Sequence, residues 1–261
     1  MEYIQDRLGK VDEVNILYLG DAHTGHPNYR EDIVDKSLDE ISKRKNGRIV
    51  IMGDLTEMAL VNSVGNTYQQ VLTPEEQIDY WVNKLEPYKD IIVAAVGSNH
   101  NERAVRAVQM NPCRLMFKQL GIVDRFFTYS VLIKWAFNKG CLHNYVVHGS
   151  TGARTDGGIL NKLKKLRKVV EADIYCMGHT HRLISNDDSV RRVPDARNMS
   201  IRDKRYYFVN TGSSLEWDEG YAEMKGYPPV LLGYPILTLR GEKGSQEVVI
   251  DKIVSPKNGV V

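Results

Sequence analysis

The stretch VNILYLGDAH (residues 14–23) decides the fold class, because its apolar residues run almost unbroken into a glycine and then an acid. A short run rich in Val, Ile and Leu is typical of a strand that is covered on both faces. Further stretches repeat this pattern of a buried strand ending at glycine or at a polar cluster. They are GRIVIMGD (47–54), DIIVAAVGSNH (90–100), NYVVHG (144–149), ADIYCMGHTH (172–181) and YYFVNTGSS (206–214).

Helical patterns fill the gaps between these strands. The clearest is TPEEQIDYWVNKL (73–85), in which Thr73 is the N-cap, Pro74 takes the first helical position and Glu76 completes a capping box. Further helices are predicted over residues 29–45, 102–120 and 158–171. Pro112 should break or kink the second of these. Strands that alternate with helices indicate βαβ units and an α/β fold.

The later part of the chain predicts antiparallel pairing. FFTYSVLIKWAFNKGCLHNYVVHG (126–149) predicts two strands around an Asn-Lys-Gly turn at 138–140. ILTLRGEKGSQEVVIDKIV (236–254) predicts a terminal hairpin. Because no repeat, low-complexity tract or linker interrupts the sequence, we predict a single domain over residues 1–261.

Composition places the chain among globular proteins. Hydrophobic residues make up 42%, which is ample for a core, and the formal net charge of +2 neither demands nor excludes a nucleic-acid partner. The three cysteines are far apart in sequence and form no CxxC pair, which argues against a disulfide framework. The start shows no apolar signal segment, and no run approaches the ~18 apolar residues of a membrane span. We predict a cytoplasmic protein with no membrane association.

Potential metal ligands follow five of the predicted strands. They are Asp21 and His23, Asp54, Asn99 with His100, His148, and His179 with His181. The carboxyl ends of strands are where sites assemble in open α/β sheets, and Asp, Asn and His supply oxygen and nitrogen ligands for divalent transition metals. Taken singly, each has an ordinary explanation as a turn former, a helix N-cap or a hydrogen-bonded histidine. Their coincidence at five strand ends, in a chain with 7 histidines, favours a shared metal site.

The order DxH, GD, NH, H, GHxH over residues 21–181 resembles the calcineurin-like metallophosphoesterase superfamily, in its phosphodiesterase-type branch. The resemblance implies an α/β fold, a four-layer α/β/β/α sandwich of two mixed β-sheets. It places a bimetal site at the C-terminal edge of the strands. The motif order is specific for the superfamily and weak on substrate.

The resemblance also implies which side chains hold each metal. The first metal would take Asp21, His23, Asp54 and His181. The second would take Asp54, Asn99, His148 and His179. Asp54 is then the bridging carboxylate, and two divalent ions are implied, with Mn favoured and Fe, Zn, Co or Ni also compatible with these donors. If residues 179–181 are extended, both histidines point the same way and serve neighbouring ions ~3.5–4 Å apart.

His100 resembles the superfamily's general acid, which supplies a proton to the leaving group during attack by a metal-activated hydroxide. The segment GSNHNER (97–103) departs from the usual pattern, because Ser98 is inserted and Asn101 stands where an acid is usual. Asn99 and His100 also become candidate substrate contacts. Arg103 is either a further phosphate contact or an ordinary helix cation.

Other segments bear on the substrate. GDLTEMALVNSVG (53–65) lacks the second Asp and the Arg of the GDxxDRG motif, which disfavours a serine/threonine phosphatase. VNTGSS (209–214) resembles an element of the phosphodiesterase branches and either supports the site or forms a tight turn. The basic stretches 162–168 and 191–205 either guide a phosphate backbone or are solvated faces. The aromatic segment 214–235 either presents stacking rings to the substrate, packs over the sheet edge or forms an oligomer contact.

Three functions are therefore open. The favoured one is a metal-dependent phosphodiesterase that hydrolyses a phosphate ester of a nucleic acid or nucleotide, as a nuclease would. The second is a phosphomonoesterase with broad or protein substrates. The third is a binding scaffold that kept the fold and lost catalysis, and the full ligand set argues against it. The sequence does not indicate an oligomeric state.

Overall fold

The computed structural model describes residues 1–6, 9–60, 63, 67–193, 201–217, 223, 226–242 and 245–255. The strands are β1 (Glu2–Gln5), β2 (Glu13–Leu19), β3 (Gly47–Ile51), β4 (Ile92–Val96), β5 (Phe126–Phe127), β6 (Ser130–Phe137), β7 (Gly140–Val147), β8 (Ile174–Met177), β9 (Leu183–Arg192), β10 (Arg202–Thr211), β11 (Gly233–Glu242) and β12 (Ser245–Val254). The helices are α1 (Glu31–Lys43), α2 (Pro74–Leu85), α3 (Asn99–Val108), α4 (Pro112–Gln119) and α5 (Asp156–Lys165).

The strands form two six-stranded sheets. One has the order β1-β6-β7-β8-β10-β9, and the other has the order β12-β11-β2-β3-β4-β5. In the second sheet β2, β3, β4 and β5 run parallel, whereas β11 is antiparallel to both β2 and β12. In the first sheet β7, β8 and β10 run parallel, while β6 and β9 are antiparallel to their neighbours β7 and β10. Both sheets are therefore mixed, as expected.

Side-chain alternation along β2 builds two separate layers of core. Ile16 and Tyr18 face the other sheet and pack in a cluster with Ile133 of β6. Leu17 and Leu19 point the opposite way, into a cluster that includes residues of α1, α2 and α4. The second sheet is therefore apolar on both faces, which explains why β2 and β3 are near-continuous apolar runs.

The outer face of the first sheet is covered by α5. Ile159 and Leu163 of this helix pack against Tyr175 of β8 and Phe208 of β10. With α1, α2 and α4 on the far side of the other sheet, the layers run α/β/β/α. This confirms the predicted four-layer sandwich.

The predicted elements lie close to the observed ones, with instructive differences. The capping box of α2 is present, with Thr73 accepting from the amide of Glu76 and Glu76 accepting from the amide of Thr73. Pro112 starts a new helix rather than kinking an existing one, so the predicted helix 102–120 is two helices. The long edge strand β9 was not predicted, because its sequence LISNDDSVRR is polar and an edge strand needs little apolar cover.

The helices are short, and the longest α-helix among the described residues has 13 residues. No described helix combines the length and the apolarity that crossing a membrane requires. The three cysteines, all in described segments, form no disulfide with one another. Cys113 and Cys176 are buried.

A buried hydrogen bond between strands of the two sheets generates a stability prediction. The Tyr18 hydroxyl donates to Asn144 Oδ1 over 2.6 Å between the sheets. Tyr18→Phe leaves that buried acceptor without its donor, so we expect a loss of about 1–3 kcal/mol in the free energy of unfolding, measured by denaturant titration. Tyr3→Phe is the matched control, because Tyr3 is 59% exposed and bonded to His143 at the surface. A loss no larger than that of the control would contradict the role of this contact.

Candidate metal centre

The candidate site is built where the loops after β2 and β3 lie side by side. The amide of Asp21 donates to the carbonyl of Gly53 over 3.0 Å, and the amide of His23 donates to the carbonyl of Asp54 over 3.0 Å. The approach is so close at Gly20 that an added Cβ would lie 2.7 Å from Met52 Cβ and 2.9 Å from the carbonyl oxygen of Gly53. The two predicted aspartates are therefore held next to each other by backbone contacts.

A first group of potential metal ligands comprises Asp21, His23 and His181, whose nitrogen and oxygen donor atoms all lie within 4.8 Å of one another. The two Nε2 atoms of His23 and His181 are 3.0 Å apart, and His181 Nε2 is 3.7 Å from Asp21 Oδ1. The imidazole nitrogens thus converge on a single point beside a carboxylate. A nitrogen and oxygen set of this kind fits a divalent transition metal.

A second group comprises Asp54, His148 and His179, with Asn99 between them. His148 Nε2 lies 3.2 Å from Asp54 Oδ2 and 2.9 Å from Asn99 Oδ1. His179 Nδ1 lies 3.1 Å from the same Asn99 oxygen. All seven predicted ligands therefore come together in two neighbouring groups.

Asp54 lies between the groups, because one of its carboxylate oxygens is also within 4.8 Å of an imidazole nitrogen of His23 and of His100. His100 Nε2 is 3.9 Å from Asp54 Oδ2, and the His100 amide donates to Asp54 Oδ1 over 3.2 Å. A carboxylate flanked by both groups is suited to bridge two cations. The geometry also places His100 among the potential metal ligands.

The backbone of the site is left-handed at most of its ligands. The φ angles are 46° at Asp21, 54° at His23, 47° at Asp54, 70° at His179 and 59° at His181. This conformation costs a residue with a side chain roughly 1 kcal/mol and recurs at functional sites. The expectation that residues 179–181 are extended is therefore wrong. From this bend, His181 joins the first group and His179 joins the second.

Glu57 is a site residue that the sequence analysis missed. Its Oε2 accepts a hydrogen bond from His23 Nδ1 over 3.0 Å, which directs the other ring nitrogen into the first group. Burial opposes its ionisation, but the His23 bond and nearby cations lower the pKa of Glu57 to about 2. The available signal was an acid three residues after Asp54 in GDLTE.

Two other imidazoles are oriented by backbone carbonyls. His148 Nδ1 donates to the carbonyl of Met52 over 2.8 Å, and His100 Nδ1 donates to the carbonyl of Glu57 over 2.6 Å. Each ring therefore presents Nε2 toward Asp54. Such outer bonds fix the tautomer and the ring orientation that a metal ligand needs.

The electrostatics of the site favour bound cations. Burial raises the pKa of Asp21 to about 7, so this carboxylate lacks enough nearby positive charge to ionise easily. Burial alone would lower the pKa of His148, but the charge of Asp54 raises it to about 9. Surroundings that favour a proton on His148 favour a cation in the same place. The donor set and its charge therefore fit divalent metals.

Arg103 is not an ordinary helix cation. One guanidinium nitrogen lies 3.1 Å from His100 Nδ1 and 3.5 Å from Glu57 Oε1, at the wall of the cleft. Asn101 is buried, and its Oδ1 accepts a hydrogen bond from the Ser98 hydroxyl over 3.1 Å. The two residues that depart from the usual motif therefore contact each other at the start of α3. The structure therefore places Arg103 beside the site.

The VNTGSS segment supports the loops that carry the ligands. Asn210 Nδ2 donates to Thr180 Oγ1 over 2.6 Å and also to the carbonyl of Arg182. The Ser213 hydroxyl donates to the carbonyl of Asp21 over 2.6 Å. Because both side chains are buried, they support the loops that carry the candidate ligands and are not exposed to a substrate in the cleft.

The structure gives no support to the hypothesis that the basic stretch 191–205 guides a substrate phosphate. Residues 194–200 of this stretch lie outside the described residues. β9 carries the chain ten residues away from the site, roughly 30 Å at ~3.3 Å per residue. Three cations of the stretch pair with acids: Arg191 with Asp203 at 3.7 Å, Arg192 with Glu171 at 2.7 Å and Lys204 with Asp173 at 2.9 Å. In the other stretch, 162–168, Arg167 stacks on the ring of Tyr206.

A cleft of about 1080 Å³ opens onto the site. Five of the candidate ligands line it: His23, Asp54, Asn99, His179 and His181. Further walls come from residues 151–154 and 215–217, and from Tyr227 and Pro228. Part of the aromatic segment 214–235 therefore faces the cleft, while its residues 218–222 and 224–225 lie outside the described ones.

No family model and no curated protein matches the chain. Among solved structures it is similar to a metallophosphoesterase from Sphaerobacter thermophilus, with 12% identity, coverage of 92% of this chain and 87% of that one, and a TM-score of 0.46. A Vps29 variant from Entamoeba histolytica has 15% identity, 92% and 99% coverage and a TM-score of 0.42. A predicted phosphoesterase from Streptococcus pneumoniae has 13% identity, 94% coverage of both chains and a TM-score of 0.39.

The Glu57 contact predicts an effect on metal affinity. Glu57→Ala removes the acceptor that orients His23, and we expect Mn²⁺ affinity to fall about 10- to 100-fold in calorimetric titration. Glu57→Gln should lose less, because its amide oxygen still accepts the bond. Glu216→Gln is the control, since Glu216 lines the same cleft but pairs with Arg30. An unchanged Mn²⁺ affinity in Glu57→Ala would contradict the orienting role.

Proposed function

We propose that the chain is a binuclear metal-dependent phosphodiesterase of the calcineurin-like type, acting on a nucleic acid or nucleotide. One observation carries the proposal: seven Asp, Asn and His side chains from five strand ends converge in two groups around Asp54. The two groups suit two divalent ions, and Mn²⁺ is the favoured metal because the donors are oxygen and nitrogen rather than sulfur. Substrate reaches them through the cleft.

When bound, two divalent cations would activate a water molecule and hold the phosphate oxygens, which is the chemistry of two-metal hydrolases. The ligands of the first group are Asp21, His23 and His181, and Glu57 holds His23 in place. Asn99 lies in the second group, at the start of α3, where its side chain can also meet the substrate. Arg103 can neutralise part of the phosphate charge from the cleft wall.

His100 is the proposed general acid. Its Nδ1 is committed to the carbonyl of Glu57, so the proton for the leaving group must come from Nε2. Burial lowers the pKa of His100 to about 4, which disfavours the charged ring before substrate binds. An anionic phosphate ester beside the ring shifts the balance back toward the protonated form. The residue then delivers its proton to the departing oxygen.

The charges in the cleft favour a diester over a monoester. A monoester carries an extra negative charge, which needs available cations around the terminal phosphate. Arg103 shares its charge with Glu57, 3.5 Å away, and Arg182 donates to Asp156 over 2.6 Å, so little positive charge is left for a second phosphate negative charge. The volume of about 1080 Å³ gives room for groups on both sides of a phosphate. A phosphomonoesterase is the alternative within the same chemistry.

The proposed function predicts a substrate preference. With Mn²⁺ added, bis-p-nitrophenyl phosphate should be hydrolysed with a kcat/KM at least ten-fold higher than that of p-nitrophenyl phosphate. Asp54→Ala is the control for the site, because losing the carboxylate between both groups should remove metal and activity together. The reverse order of substrates would support the phosphomonoesterase. No turnover of either ester, alongside a stable protein partner, would support the binding scaffold.

The acid assignment predicts a dependence on the leaving group. His100→Ala should keep its bound Mn²⁺ but turn over diesters with poor, alkyl-type leaving groups roughly 100-fold more slowly. Diesters of p-nitrophenol should lose much less, because an acidic leaving group needs no proton. Equal losses on both would count against the acid role. Loss of bound metal would instead assign His100 to the ligand set, beside His23 and Asp54.

A further inference from the structure

One wall of the cleft is formed by planar side chains that the proposed metal chemistry does not use. Trp217 and Tyr227 both line it, and so does Arg154. The guanidinium of Arg154 lies over the Tyr227 ring, 4.3 Å from its centroid. The indole of Trp217 donates from Nε1 to the carbonyl of Tyr227 over 2.7 Å. Three flat groups from two segments of the chain therefore lie next to one another in the cleft wall.

This surface is anchored to the loop that carries the first ligands. The amide of Glu216 donates to the carbonyl of Asn28 over 2.9 Å, and its carboxylate lies 2.6 Å from Arg30. The adjacent residue Leu215 pairs with Tyr29 in an isolated β-bridge. The backbone just before Trp217 is thus held against residues 28–30, a few residues beyond His23.

The cleft is larger than hydrolysis of a phosphate alone requires. Its volume of about 1080 Å³ is at the upper end of small-molecule sites, which run from roughly 300 to 1,000 Å³. The candidate ligands occupy one part of it, and Arg154, Trp217 and Tyr227 occupy another. Because both sets of residues line one cleft, a single molecule can place a phosphate at the candidate ligands and a flat substituent on these groups.

We propose that Trp217, Tyr227 and Arg154 form a nucleobase subsite, which makes the substrate a nucleotide-containing phosphodiester. The inference rests on the proposed function and specifies its substrate class. Bases stack on aromatic rings and on guanidinium planes without needing a particular base sequence. The subsite selects for a base and is tolerant of which base it is.

Tryptophan fluorescence tests the subsite without relying on catalysis. The chain has 3 tryptophans, and Trp81 and Trp135 are 0% and 1% exposed. Trp217 is half-buried in the cleft, so a base stacked on it should quench its emission. We expect AMP to quench the fluorescence of the Mn²⁺-loaded protein and ribose 5-phosphate to leave it unchanged. In Trp217→Phe, AMP should cause no quenching. Equal responses to both phosphates, or no response to AMP, would overturn the subsite.

Substrate selectivity supplies the second readout. We compare kcat/KM for thymidine 5′-(p-nitrophenyl phosphate) with that for methyl p-nitrophenyl phosphate, which share a leaving group and differ in the base. Trp217→Ala should lower this ratio about ten-fold, and Trp217→Phe should largely restore it. Tyr129→Ala is the control, because Tyr129 is 76% exposed and lies outside the cleft lining.

The two proposals fail in different ways. If neither diester is hydrolysed but AMP still quenches Trp217, the phosphodiesterase assignment fails and the base subsite stands. If both diesters are hydrolysed and Trp217→Ala leaves the ratio at the parent value, the subsite is wrong and the hydrolase assignment stands.

Discussion

The structure depends on the close approach of two buried carboxylates. Asp21 and Asp54 lie at the ends of adjacent parallel strands, and both are almost completely inaccessible to solvent. Burying two negative charges together is costly unless positive charge offsets them. The histidines of the later loops provide one part of that offset. In the proposed function, divalent cations would provide the rest of the positive charge.

The backbone around these carboxylates shows how the arrangement is maintained. Left-handed conformations at five ligands are each unfavourable, yet the surrounding loops hydrogen-bond to one another across the site. Ser213 holds the carbonyl of Asp21 and Asn210 holds the histidine bend, both from the strand end of β10. The second layer of contacts therefore keeps the ligands in place before any cation binds. Preorganisation of this kind lowers the cost of binding and reaction.

Sequence reasoning worked where local pattern and sheet geometry coincide. The apolar runs of β2 and β3 are visible because both faces of their sheet are covered, and the capping box of α2 involves residues only three apart. The convergence of the predicted ligands followed from the rule that strand ends share an edge. The polar edge strand β9 carried no such signal. Glu57 was missed because its role depends on where His23 points, and that direction is a tertiary property.

The division between the strand-end ligands and the cleft walls explains how one scaffold can acquire a specific substrate. The ligands follow regular strands, where the sheet fixes their spacing and leaves little freedom to vary. The walls come from residues 151–154 and 215–217, which belong to connecting segments that tolerate change. Among the basic residues of β9 and β10, Arg192 pairs with Glu171 and Lys204 pairs with Asp173. Under the two proposals made above, recognition is local, and the planar wall beside the proposed phosphate position would set the choice of substrate.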